Sequence, residues 1–246
     1  MLPTWLTSRP IAHRGLHDLF AGRPENSRIA IEAAAAAGHP AEIDVHMLAD
    51  GEIVVFHDFN FARMCGDERQ VLQCTSRDIR PLRLRGTGEG VPLLRDVLAV
   101  AVGRSPLLIE VKNDSRFDRR CEKALARLLD DYRGEFAVQS FNPFSVQWFA
   151  RHRPAIVRGQ LACKFRGEDV PWHRKWLLSN LMMNVFSRPH FIAYKFDELP
   201  RLAVTRCRRA GLPVLGWTVR SEDQQRAAMP HCDNIIFEGY LPTGPA

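Results

Sequence analysis

Short apolar runs alternate along this chain with longer stretches in which apolar residues recur every three or four positions. The short runs predict strands at 10–13, from Ala41, and at 53–56, Leu107–Val111, 136–141, 157–161, 191–196, Val214–Val219 and Asn234–Phe237. The longer stretches predict helices at 29–38, 91–102, 117–132, 143–151, 172–186, 199–211 and 222–229. The first helix is dominated by alanine, can be capped by Asn26 or Ser27, and stops at Gly38. Short connections between alternating strands and helices imply parallel strands, hence an α/β fold.

Nine candidate strands are one more than a closed eight-stranded barrel holds, and the surplus falls in residues 41–58, AEIDVHMLADGEIVVFHD. About a dozen residues separate Asp44 from His57, too few for a crossover helix, so an extended return is expected there. Asp50-Gly51 is turn chemistry. In extended backbone Glu42 and Asp44 leave one face, and Ile43 and Val45 the other. The following run delivers His57 and Asp58 where it stops. Two acids on one strand and an imidazole at the tip of another suit a cation and a base; equally, Asp44 can cap a turn and His57 sit in a surface loop. Residues 60–90, with little periodicity and a glycine-rich end, read as an elaborated loop after His57.

The chain has 246 residues, 46% hydrophobic and 25% charged, the composition of an ordinary globular protein long enough for one barrel. Its net charge of +6 permits a nucleic-acid partner. No basic run or nucleic-acid motif accompanies it, so none is expected. Six scattered cysteines without metal-finger spacing read as reduced thiols. The N-terminal residues lack a signal-peptide pattern, and 176–186 is too short and interrupted to cross a bilayer. A soluble, cytoplasmic protein is the expectation.

Polar residues recur where apolar runs stop: His13-Arg14, Glu42 and Asp44, His57, Glu110 and Lys112, Gln139, Lys195 and Trp217. In an α/β barrel side chains distant in sequence converge at the ends of strands. Packing alone does not explain a series of charges there, because buried charges need partners.

The ordered series HRG, PEN, E-I-D, V-V-F-H-D, L-I-E-V-K and G-W-T-V, from His13 to about Gly239, resembles the glycerophosphodiester phosphodiesterases. The resemblance implies a TIM (β/α)8 barrel, slightly irregular, forming a single domain with a small insertion at about 60–90 after the third strand. It implies hydrolysis of a glycerophosphodiester to glycerol 3-phosphate and an alcohol. By the same resemblance His13 and His57 are the catalytic pair, and Arg14 and Lys112 hold phosphate. Glu42, Asp44 and Glu110 hold one divalent cation, Mg2+ or Ca2+. Glu25, Gln139, Phe141, Lys195 and Trp217 are candidates for the substrate pocket. Glu25 can instead favour a helix N-terminus, and Trp217 can be core.

The residue types fit that chemistry. A hard cation on carboxylates, with an arginine and a lysine, offsets the phosphate charge. Two imidazoles titrating near neutrality can move the protons. A neighbouring glycerol hydroxyl would attack phosphorus, giving a cyclic phosphate that water opens. Alternatives on the same scaffold are a lysophospholipase D or phospholipase D-like lyase that releases the cyclic phosphate, and a non-catalytic phosphate-binding relative. Ser27 stands where the family has threonine, and Ile236-Phe237-Glu238-Gly239 replaces a Thr-Asp-x-Pro ending, leaving Glu238 as a substitute for an aspartate. Residues 163–188 match no family pattern. Within them Trp172, Trp176, Leu177, Met183 and Phe186, with Lys164, Arg166, Arg174 and Lys175, suit weak contact with a membrane surface through 164–186, or an outer barrel helix.

Overall fold

The chain opens with one helical turn, α1 (Trp5–Ser8), and a two-residue strand, β1 (Ile11–Ala12). The computed structural model describes residues 2–242. Its contacts divide the chain into one unit of Ala12–Phe136 and another of Met1–Ile11 with Ala137–Ala246.

In the first unit, α2 (Arg28–Ala36) begins where the Ser27 Oγ accepts the Ala30 N–H at 3.2 Å. Ser27 is the cap; Asn26 is engaged elsewhere. Strand β2 (Ala41–Met47) is buried at all seven positions. It pairs in parallel with β1 and with β6 (Leu107–Val111), as the intervening helices require. The expected extended return is β3 (Ile53–Val55), antiparallel to β2 across a turn in which the Gly51 N–H reaches the Leu48 carbonyl at 3.0 Å.

Residues 60–90 are better ordered than the expected loop. They hold a small hairpin, β4 (Asn60–Phe61) and β5 (Asp67–Gln70), around the single turn α3 (Ala62–Cys65), and then α4 (Ser76–Ile79). Thr75 and Asp78 form a capping box on α4. Phe61, Met64, Val71, Ile79 and Leu84 bury themselves against Val54 and Phe56. Elements this short show no periodicity, so the sequence hides them. Helices α5 (Leu94–Ala101) and α6 (Arg120–Asp130) complete the unit, each with its apolar stripe buried.

The second unit repeats strand and helix. It contains β7 (Phe136–Ser140), α7 (Pro143–His152), β8 (Arg158–Ala162), α8 (Trp172–Ser179) and α9 (Asn184–Ser187). After them come β9 (Phe191–Lys195), α10 (Leu202–Arg209), β10 (Val214–Val219), α11 (Glu222–Ala228) and β11 (Asn234–Phe237). Strands β7 to β11 pair in parallel, each with the next. The buried Asn234 side chain donates to the Leu6 and Arg9 carbonyls at 2.9 and 2.7 Å, tying the N-terminal segment to β11. The helix expected over 172–186 is two helices. The Asn180 amide caps the Trp176 carbonyl at 2.8 Å, and Leu181 takes a left-handed φ of 57°, which ends α8 before α9 begins. Among the described residues no helix is long and apolar enough to cross a membrane.

Candidate active site

Asp44 and Glu110 are register partners on the parallel pair β2 and β6, and Glu42 lies two residues before Asp44. Period-two alternation therefore sends all three carboxylates to one face of two adjoining strands. One oxygen from each lies within 4.8 Å of the others, and all three residues are buried. The same register brings Lys112, just past β6, alongside: its Nζ is 2.6 Å from Glu110 Oε1 and 3.1 Å from Asp44 Oδ1.

His13 and Arg14 follow β1. His13 Nε2 stands 4.0 Å from Glu42 Oε2, which also accepts the Arg14 backbone N–H at 3.1 Å. Arg14 takes a left-handed φ of 55°, and Gly15 continues the turn at 78°. A side chain on Gly15 would put its Cβ 2.8 Å from the Ala30 backbone, so the glycine of the HRG series is required by close approach as well as by φ. The Arg14 guanidinium lies 3.4 Å from Asp44 Oδ2 and donates to Glu25 Oε1 at 2.7 Å.

Three participants escaped the sequence reading. Asn26, buried and left-handed at φ 56°, donates its amide to Asp44 Oδ2 at 2.9 Å and accepts the Asp44 backbone N–H at 3.1 Å. Asp58 Oδ1 lies 2.7 Å from His57 Nδ1. Arg63, on α3, donates from Nε to Asp58 Oδ2 at 2.7 Å and from its two terminal nitrogens to both oxygens of Glu25, at 3.0 and 2.6 Å. A continuous chain thus runs His57–Asp58–Arg63–Glu25–Arg14. Glu25 belongs to this chain rather than to a helix N-terminus. The asparagine of PEN and the aspartate of V-V-F-H-D carried a signal; Arg63 carried none. His46 is buried with Nε2 3.1 Å from the His57 carbonyl, and burial lowers its pKa to about 4.

Burial and the neighbouring Asp44 and Glu110 charges push the Glu42 carboxyl well above its ordinary value. Burial also raises Glu110, against the pull of Lys112. For Asp44 burial acts upward too, but Lys112, His57 and Arg14 together win and hold it low. Burial depresses the His57 imidazole more than Asp44 and Asp58 lift it. The Lys112 ammonium, although buried, is raised by Asp44 and Glu110.

This donor set suits a hard cation. Glu42 Oε1 is buried with no hydrogen-bond partner, an expensive arrangement unless an ion completes it. Five carboxylates (Glu25, Glu42, Asp44, Asp58 and Glu110) face three permanent cations (Arg14, Arg63 and Lys112), leaving two negative charges that one divalent ion balances. All-oxygen ligands favour Mg2+ or Ca2+ over softer metals.

The remaining candidates lie in the second unit. Phe141 packs edge-on to Trp217 at 5.6 Å and to Phe165 at 5.9 Å. Gln139 is buried two residues before Phe141 on β7, with its Oε1 unpaired. Lys195 is the register partner of Trp217, but its ammonium is half exposed and pairs with Asp197 at 3.2 Å. Glu238 accepts from Arg220 Nε at 2.6 Å.

The sequence model of the Glycerophosphoryl diester phosphodiesterase family matches residues 13–237. A glycerophosphodiester phosphodiesterase of Caldanaerobacter subterraneus subsp. tengcongensis is 30% identical over 240 residues, covering 93% of each chain. Among solved structures, an Oleispira antarctica phosphodiesterase in complex with the product sn-glycerol-3-phosphate superposes with a TM-score of 0.79 at 20% identity, over 95% of this chain and 93% of that one. A glycerophosphodiester phosphodiesterase from Thermotoga maritima gives 0.72 at 21% identity, over 92% of each chain. The fold is a TIM (β/α)8 barrel and the protein is a phosphoric diester hydrolase. The chain belongs to the glycerophosphoryl diester phosphodiesterase family.

Proposed function

We propose that this enzyme hydrolyses glycerophosphodiesters to glycerol 3-phosphate and an alcohol, with one divalent cation on Glu42, Asp44 and Glu110 and with His13 and His57 moving the protons. The observation that carries the reading is the buried three-acid cluster, flanked by Arg14 and Lys112 and by one histidine past β1 and another past β3. A metal-free phosphate binder would need the cations but not the three acids or an imidazole held by a carboxylate.

A cation bound there would neutralise phosphate charge and polarise the phosphorus–oxygen bonds. Arg14 and Lys112 would share the remaining charge of the phosphate. His57, with Nδ1 directed at Asp58, carries its free lone pair on Nε2 and is suited to accept a proton from the attacking glycerol hydroxyl. His13 would then protonate the alkoxide as the phosphorus–oxygen bond to the alcohol breaks. The product of that step is a cyclic glycerophosphate and the free alcohol. Water, delivered with the proton roles reversed, would open the ring to glycerol 3-phosphate. In this reading the enzyme works in the cytoplasm, which its six unpaired cysteines favour.

The test is ³¹P NMR of glycerophosphocholine, -ethanolamine, -glycerol and -inositol and of lysophospholipids, each with and without EDTA. Glycerol 3-phosphate should form only with a divalent cation present, and His13→Ala and His57→Ala should each lose about a hundred- to ten-thousand-fold in turnover. Accumulation of a cyclic phosphate that is never opened would make the enzyme a lyase. Undiminished turnover in EDTA would end the metal assignment.

A further inference from the structure

We infer that the α8–α9 segment is a docking surface for an anionic lipid bilayer. This segment leaves large apolar side chains in water: Trp172 is 80% exposed, Val185 78%, Phe186 58%, Trp176 56% and Met182 50%. Of the eight residues of α8 only Ser179 is buried, so the helix is not the outer barrel helix whose apolar face packs on its strands. Solvated single apolar residues are ordinary; five within fifteen residues are a concentration that calls for a partner.

Helix α8 is held at its C-terminal end and open at its N-terminal end. Where α8 ends, the Ser179 carbonyl accepts from Tyr194 Oη at 3.1 Å and Arg201 Nε at 2.9 Å, while Arg201 also reaches Ser179 Oγ at 3.0 Å and Asn180 Oδ1 at 3.2 Å. The first turn, with Trp172 one turn ahead of Trp176, has no such anchor among the described residues. A fixed base with projecting tryptophans is an economical way to present apolar surface without letting it collapse.

Charge selects the occupant. Residues 164–188 carry Lys164, Arg166, Arg174, Lys175 and Arg188 against Glu168 and Asp169. No carboxylate pairs with the Arg174 or Lys175 head group among the described residues, in contrast to the paired arginines of the first unit. A second copy of this chain on a two-fold axis would set these cations against each other. A bilayer with anionic head groups accepts both features: tryptophan at the head-group level, aliphatic and phenyl groups just below it, and lysine and arginine at the phosphates. The inference stands apart from the catalytic reading, because its readout is binding.

The experiment is co-sedimentation of the full chain with vesicles of phosphatidylglycerol and phosphatidylcholine, or of phosphatidylcholine alone, at low and high salt, alongside tryptophan emission. The wild type should bind the anionic vesicles with a blue shift, bind the neutral ones weakly, and release in high salt. Trp172→Ala/Trp176→Ala/Phe186→Ala should lose most of the binding. Arg174→Glu/Lys175→Glu, which alters only exposed or half-exposed side chains and so serves if the triple variant misfolds, should weaken it by about tenfold or more. Neither variant should change turnover of a water-soluble glycerophosphodiester. Absence of wild-type binding at low salt, or binding that both variants retain, overturns the inference. So does a concentration-dependent dimer in sedimentation velocity that the triple variant abolishes, since that would give the patch to a second copy.

Discussion

Replacing Asn26 should damage this protein more than its position in a turn suggests. Asn26→Ala removes the hydrogen bond that the side-chain amide donates to Asp44 Oδ2 and strands the Asp44 backbone N–H, both inside the buried cluster. A hydrogen bond to a charged group contributes about 1.5–3 kcal/mol, and a buried donor left unpaired costs about 1–3 kcal/mol. Alanine at φ 56° adds roughly 1 kcal/mol of backbone strain that asparagine tolerates better. The expected loss is about 3.5–7 kcal/mol, a large part of the roughly 5–15 kcal/mol that holds a typical domain folded. Asn26→Gly keeps the backbone conformation and loses only the hydrogen bonds, so it should retain roughly 1 kcal/mol of what the alanine variant loses. Urea denaturation followed by circular dichroism measures both as midpoint shifts at constant slope. Turnover should fall in both variants, because Asp44 is no longer fixed. Two variants within about 0.5 kcal/mol of the wild type would refute the claim that Asn26 supports the cluster.

The chain from His57 to Arg14 makes a second prediction: Asp58→Asn and Arg63→Ala should each lower kcat by at least about tenfold, with Arg63→Lys recovering part of it, since reorienting a catalytic base is felt directly in turnover. Unchanged kcat in both would leave the chain a surface ion-pair network. The raised Glu42 carboxyl means that without a cation the cluster holds a proton above the ordinary carboxylate range. Cation binding should therefore release a proton, and affinity should rise with pH through that range and level off above it, as calorimetry in buffers of different ionisation enthalpy would show. By the same linkage, Glu42 binds more protons folded than unfolded, so its contribution to the stability of the cation-free protein falls as pH rises through that window.

The order of elements and the acid pairs were legible because period-two alternation and strand ends leave marks in sequence. Glu42, Asp44 and Glu110 could be placed on one face once two strands were taken as parallel neighbours, and β2 and β6 meet in that register. The extended return at β3 followed from chain length alone. What stayed hidden depends on tertiary context. Arg63 sits on a four-residue helix inside an insertion whose elements are too short to show a period. Asn26 looked like a helix cap because capping and carboxylate binding need the same side chain, and only the fold decides which partner is near. The break in the helix after Ser179 turns on the left-handed conformation of Leu181, a residue that seldom adopts it.

The proposed chemistry requires one shared ion, and isothermal titration of the cation-free protein with Mg2+ and with Ca2+ tests that requirement most directly. One divalent cation per chain should bind, and Glu42→Gln/Glu110→Gln, which keeps the shape of the cluster but removes two of its charges, should abolish that binding while the fold persists by circular dichroism. Binding that survives the double substitution, or no binding by the wild type, would contradict it.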